Sequence, residues 1–372
     1  MGIDWIPMGV LGMVGFEEPI WLPDSLFGGP LHEMHSIVSR VSKLFNTAKF
    51  LLHLREIMDI VNEPRIARGF DPSYESPAES WKAKLVLVPE PWMFHAARPI
   101  DPSTQLVGFL SAPADSGRAS ALTNPVQDAA LLGWLDQLPA GTPVVYVAFG
   151  SHLHVPNALL NNLLAGLLLA DPSVRVLVGI RDEVEVTLSV DPAHHARLRR
   201  ESWMPQRKVL SHPAVKLFVS HGGLSSVSES VDASVPLLVV PFFADQLRNA
   251  FLLQDAGVGR AIRRADVTPE HVRDTVRSIL ADYSALQHAT NKLKAVSNLA
   301  GGRKRAAQLI DHHLQYGSDH LVSVVSSFPI YQRYNLDILA IAFLILYTLY
   351  RLFKWMVFRF CCRRIAPKVK AH

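Results

Sequence analysis

Between residues 144 and 256, short apolar runs alternate with stretches of helical spacing, and few folds can accommodate that alternation. Residues 144–149 read VVYVAF, and 174–180, 215–219 and 237–240 are runs of the same kind. Runs this apolar are strands with both faces buried, because a half-exposed strand would alternate with polar residues. The stretches 156–170, 222–233 and 246–256 have the spacing of helices, the first with Pro156 at its opening turn. Strand and helix in turn predict an α/β fold with a doubly wound parallel sheet. Ligands of such sheets sit at the carboxyl ends of the strands. Three further helices are expected between residues 269 and 316.

The chain has 372 residues, enough for two domains. Ahead of the regular region, residues 3–29 read as strand and loop. Helical spacing follows over 34–61, with Ile37, Val38, Val41, Leu44 and Phe45, and strand candidates stand at 85–88 and 106–110. Residues 111–125 are rich in Ser, Ala, Pro and Gly, as a linker would be. The division expected is a partial first domain over 1–110, a linker over 111–128, and a second domain over 129–330. A transmembrane helix over 336–360 and a basic tail over 361–372 complete it.

Charge narrows the classes of function. Seven Lys or Arg and no acid lie from Arg351 onward, so the net +4 leaves −3 for everything before them. A cationic stripe that could follow a phosphate backbone is lacking, and nucleic acid is set aside as a partner. Cys361 and Cys362 are the two cysteines, so the body of the chain needs no disulfide and no Cys-ligated metal.

Polar residues gather where the strands end. The segment VKLFVSHGGLSSVSES runs from a buried strand into His221, Gly222, Gly223 and a helix. Glycines allow close backbone approach, and a helix N-terminus favours an anion. His221, Ser225 and Glu229 recur at intervals of four, which predicts one helix face with a phosphate above and a ribose below. Asp245 and Gln246, after the next strand, supply the acceptor and donor that sugar hydroxyls need. Trp203, in the sequence Trp203-Met204-Pro205-Gln206, offers a plane for a base, and Ser151 a hydroxyl at another strand end. Taken singly, each has an ordinary reading: a tight turn for the glycines, a core residue for Trp203, an N-cap for Asp245.

Taken together, WMPQRKVLSHPAVKLFVSHGGLSSVSESVDASVPLLVVPFFADQ, residues 203–246, resembles the signature of the UDP-glycosyltransferases. Residues 144–151 and 85–110 resemble the family more loosely. The resemblance implies a GT-B-like pair of Rossmann-like domains, the N-terminal one incomplete. It implies that Trp203 stacks on uracil and the Met204 backbone meets its edge. Gln206 and Glu229 would hold the ribose, Ser151, His221, Gly223 and Ser225 the diphosphate, and Asp245 and Gln246 the sugar. Ser225 departs from the family, where Asn is frequent, but its hydroxyl can still reach a phosphate. The activity implied is transfer of a hexosyl or glucuronosyl group, with inversion, from a UDP-sugar co-substrate to a small lipophilic acceptor. No further cofactor and no metal are expected, since no Asp-x-Asp motif occurs. The family's general-base His and its partner Asp are expected upstream of Met1, with His32, His35, His53 and His95 read as structural. The alternative is a catalytically silent truncated form that binds UDP-sugar or associates with full-length copies. A UDP-sugar epimerase on the same fold would be soluble, which conflicts with the tail.

That tail reads as a membrane anchor. Residues 338–350 are apolar or aromatic apart from Thr348, and extension to Phe360 reaches the ~20 residues that span hydrocarbon. Arg351 and Lys354 would snorkel, while Tyr347, Tyr350 and Trp355 would anchor at the interface. The basic residues beyond place this end in the cytosol, with the donor domain lumenal. Lys368 and Lys370, five and three places from the end, resemble a dilysine signal for the endoplasmic reticulum. The cysteine pair is a palmitoylation candidate. The similar branch of the family is the membrane-bound eukaryotic one that includes the UDP-glucuronosyltransferases, and a homo-oligomer is a further expectation.

Overall fold

The computed structural model describes residues 85–94, 102–110, 125–150, 155–180, 191–243, 245–324, 328–333 and 335–363, with short pieces between 36 and 69 and single residues at 100 and 153. Ser151, the four histidines named above, residues 111–124 of the expected linker, and Lys368 and Lys370 lie outside them, as do the side chains of Cys361 and Cys362. The chain forms two compact units. One takes in Met1–Ile100 and Thr104–Gly317, the other Asp101–Ser103 and Ser318–His372.

The first unit opens with strands β1 (Val86–Val88) and β2 (Thr104–Leu106), paired in parallel. Helix α1 (Pro125–Asp136) then leads into a sheet built from β3 (Val144–Val147), β4 (Arg175–Gly179), β5 (Leu198–Glu201), β6 (Val215–Ser220), β7 (Leu237–Val239) and β8 (Gly259–Ala261). Every pairing is parallel, in the order β5-β4-β3-β6-β7-β8. The connecting helices are α2 (Asn157–Ala170), α3 (Gln206–Leu210), α4 (Leu224–Asp232) and α5 (Asp245–Asp255). Helices α6 (Pro269–Ala281), α7 (Tyr283–Ala300) and α8 (Gly302–Tyr316) follow, as expected.

The two-residue period of a strand explains how one apolar run serves two cores. Val145 and Val147 face α2 and α6, packing with Leu163, Leu167, Val272 and Val276. Val144 and Tyr146 face the other way, toward Leu131 of α1, Val227 and Val231 of α4, and Leu293 of α7. The piece that carries β1 and β2 is joined to this second core. Phe94 and Phe109 meet edge-to-face with centroids 5.7 Å apart inside it. The Phe109 amide donates to Ser297 Oγ at 2.9 Å, and Gly108, at φ +77°, lies where a Cβ would fall 2.4 Å from the Ser297 carbonyl oxygen.

Several expectations shift. Strands β5 and β8 go unread in the sequence, and α1 begins at Pro125, inside the expected linker. Pro156 precedes α2 as its N-cap rather than lying in its first turn. Gly222, at φ +84°, is not helical, so α4 opens at Leu224 and His221 stands before the helix rather than on the face shared by Ser225 and Glu229.

The second unit contains α9 (Ile330–Arg333) and α10 (Leu336–Arg363). Within α10, Leu336–Arg359 is long and apolar enough to cross a membrane, with a mean hydropathy of 1.9. Arg351 donates to the Tyr347 hydroxyl at 3.0 Å, and Arg359 lies 5.0 Å from the Trp355 ring, so both cations lean on aromatic neighbours one turn back.

Helix α2 meets α6 through Gly166, where a Cβ would fall 2.6 Å from the Pro269 carbonyl oxygen and from Val272 Cβ. Gly166→Ala should therefore destabilise the domain by about 1–3 kcal/mol through overpacking. Urea unfolding followed by circular dichroism measures this, and a midpoint equal to wild type would contradict the close approach.

Candidate active site

Strand order reverses between β3 and β6: β3 leads through α2 to β4 on one side, and β6 through α4 to β7 on the other. The helices leave on opposite faces, opening a crevice at the carboxyl ends of the two strands. Every described residue of the expected site follows a carboxyl end of this sheet.

Ser220 ends β6 and His221 follows it, with Ser220 Oγ 3.4 Å from His221 Nδ1. Two glycines bracket the imidazole. A Cβ on Gly150, beyond β3, would lie 3.1 Å from its Cε1, and one on Gly223 would lie 2.5 Å from its Nε2. The ring thus occupies space that only glycine leaves. Burial pushes the His221 pKa below its ordinary value, against the smaller opposing effect of Asp245, so the ring is neutral at pH 7. Gly223 is the N-cap of α4, and no side chain among the described residues caps that end. Its amides are therefore presented toward the crevice, where an anion is favoured. Ser225 is exposed in the first turn.

Glu229 lies one turn further along α4 and is tied on both oxygens. Gln206 Nε2 donates to Oε2 at 2.7 Å and Arg207 Nε to Oε1 at 3.0 Å. Behind them, the Tyr146 hydroxyl donates to Gln206 Oε1 at 3.2 Å, which fixes the orientation of that amide. Tyr146 stacks on Phe218 at 4.9 Å. Burial, and secondarily the charge of Glu229, drive its pKa far above the ordinary value, so it remains a donor. A carboxylate has about four acceptor positions, so Glu229 retains capacity for hydroxyls.

Trp203 follows β5 and is 43% exposed, which removes it from the core, whereas Met204 beside it is buried. Asp245 opens α5, and its Oδ2 accepts from Asn249 Nδ2 at 2.9 Å. Gln246 is buried, with Oε1 accepting from the Phe242 and Phe243 amides at 2.9 and 3.2 Å. Its carbonyl thus shapes the loop.

A family model described as UDP-glucoronosyl and UDP-glucosyl transferase matches residues 75–372. The chain belongs to that family. Over 172 residues it is 34% identical to UDP-glucuronosyltransferase 3A2 of Mus musculus, covering 45% of this chain and 33% of that protein. Over 286 residues it is 26% identical to UDP-glucuronosyltransferase 2A3 of Homo sapiens, covering 76% of this chain and 51% of the relative. The chain thus spans about a third to a half of the length of these curated relatives. Its fold is similar to that of the crystal structure of Os79 from O. sativa in complex with UDP. The TM-score is 0.51 at 21% identity, over 64% of this chain and 58% of that one.

Sequence reasoning missed Gly150, Tyr146, Arg207 and Asn249. Two of them carry a readable signal: a hydroxyl in the middle of an apolar strand for Tyr146, and the i+4 position from Asp245 for Asn249. Gly150 and Arg207 acquire their roles only from chain packing.

The depressed pKa of His221 has a pH consequence. As pH falls through about 6.5, the unfolded chain takes up this proton before the folded one does, so folding loses stability. Relative to His221→Gln, wild type should lose stability between about pH 7 and pH 5 and show no trend above about pH 7.5. Urea midpoints of both proteins across that range test this, and a pH-independent difference would contradict it.

Proposed function

We propose that this chain binds a UDP-sugar at the β3/β6 crevice and transfers its hexosyl or glucuronosyl group, with inversion, to a small lipophilic acceptor. Family membership supports the reaction class. The observation that carries the assignment is the convergence at one sheet edge of an uncapped helix N-terminus, a neutral, partly buried His221 and the Gln206–Glu229 pair. On this reading Trp203 stacks on uracil, the Met204 backbone meets its edge, and Gln206 and Glu229 hold the ribose. Ser151, His221, Gly223, Ser225 and the amides of α4 take the diphosphate. Asp245 and Gln246 meet the sugar hydroxyls.

A neutral His221 donates a hydrogen bond without changing the charge of the site. The amides of α4 are oriented before the reaction, so they stabilise the charge that grows on the departing UDP with little reorganisation. Residues 129–330, with α1 from Pro125, act as the donor domain of a GT-B pair, residues 1–110 belong to the acceptor domain, and the linker between them ends before Pro125. The length and composition of α10 support a single-pass anchor. The basic tail favours a cytosolic C-terminus with a lumenal donor domain, in the endoplasmic reticulum.

Thermal unfolding in the presence of UDP, UDP-glucose and UDP-glucuronate tests the donor site. A ligand at about 100 times its Kd stabilises the folded state by about 2.7 kcal/mol, so UDP and at least one UDP-sugar should raise Tm measurably. Absence of a shift with all of them would overturn the assignment.

A further inference from the structure

A buried polar chain connects the donor site with the segment that follows β1. Glu90 is fully buried, and Arg248 of α5 nearly so. They pair in bidentate fashion, Arg248 Nη1 donating to Glu90 Oε1 at 3.0 Å and Nη2 to Oε2 at 2.9 Å, across 158 positions of sequence. A buried ion pair contributes little net stability, because desolvation of the two charges offsets their attraction. Docking the segment does not require it, since Phe94 is already packed into the core close by in sequence. What a guanidinium fork adds is direction.

That direction is passed on. Arg248 Nη1 also donates to Asn249 Oδ1 at 3.2 Å, which fixes the oxygen end of a fully buried amide. Asn249 Nδ2 consequently points the other way, donating to the Gly222 carbonyl and to Asp245 Oδ2, each at 2.9 Å. One amide thus joins the turn beneath the helix N-terminus to the carboxylate at the start of α5.

We propose that Glu90, Arg248 and Asn249 are positioning residues that orient Asp245 toward the donor sugar. The sugar subsite is thereby made to depend on the segment after β1. The inference rests on the donor-site reading above and deepens it. None of the three touches the nucleotide, whose base and ribose are met by residues after β5 and on α3 and α4.

The test is calorimetric titration of the full 372-residue chain with UDP and with whichever of UDP-glucose and UDP-glucuronate gives the larger thermal shift. The variants are Asn249→Ala and the double change Glu90→Leu with Arg248→Met, which replaces the buried ion pair by apolar side chains and so preserves folding. In both, the affinity the sugar adds over UDP alone should fall about tenfold, the scale of one misdirected hydrogen bond to a charged group, while UDP binding stays within about twofold in the double variant, which leaves the Asn249 bond to the Gly222 carbonyl in place. An unchanged sugar increment in both variants overturns the inference, and so does an equal loss for UDP and UDP-sugar in the double variant. Failure of the wild-type chain to bind UDP is a separate result: it removes the donor site itself.

Discussion

The reversal of strand order between β3 and β6 is the constraint on which the rest of the structure depends. Strands buried on both faces leave no room for polar side chains along their length, so the polar groups gather where the strands stop. At the reversal, α2 packs on one face and α4 on the other, so these two helices diverge from the strand ends there. Gly150 after β3 and His221 after β6 meet in that opening because these two strands are neighbours.

The electrostatics of the crevice follow from the same arrangement. Burial keeps the His221 ring neutral beside an uncapped helix N-terminus, while the carboxylates of Glu229 and Asp245 are each held by protein donors. Positive potential therefore comes from fixed backbone dipoles, and the acceptors lie around it. On the proposed reading, that order matches a nucleotide sugar, with diphosphate at the centre and hydroxyl-bearing groups on either side.

Much of this is written locally. The buried strands and the three closing helices follow from apolar periodicity, and the polar residues at the strand ends follow from the fold they imply. The edge strands do not. Strand β5 reads LRRE: Arg199 pairs with Glu201 two residues along the same strand face, but it reaches Trp134 only because the chain folds back. Strand β8 is three residues long and begins at Gly259, where the Leu237 carbonyl lies too close for any side chain. The displacement of His221 from the helix face depends on a single left-handed glycine, Gly222. The pairing of Glu90 with Arg248 has no local signal, since its partners are 158 positions apart.

Hydrogen exchange of the full chain with and without UDP tests the central claim most directly. The account predicts slowed exchange at the backbone amides of Trp203, Met204, Gln206 and residues 221–229, beyond the carboxyl ends of β5 and β6, with α6 and α8 unaffected. Protection located elsewhere, or none at a UDP concentration that saturates binding, would contradict a nucleotide site at the strand reversal.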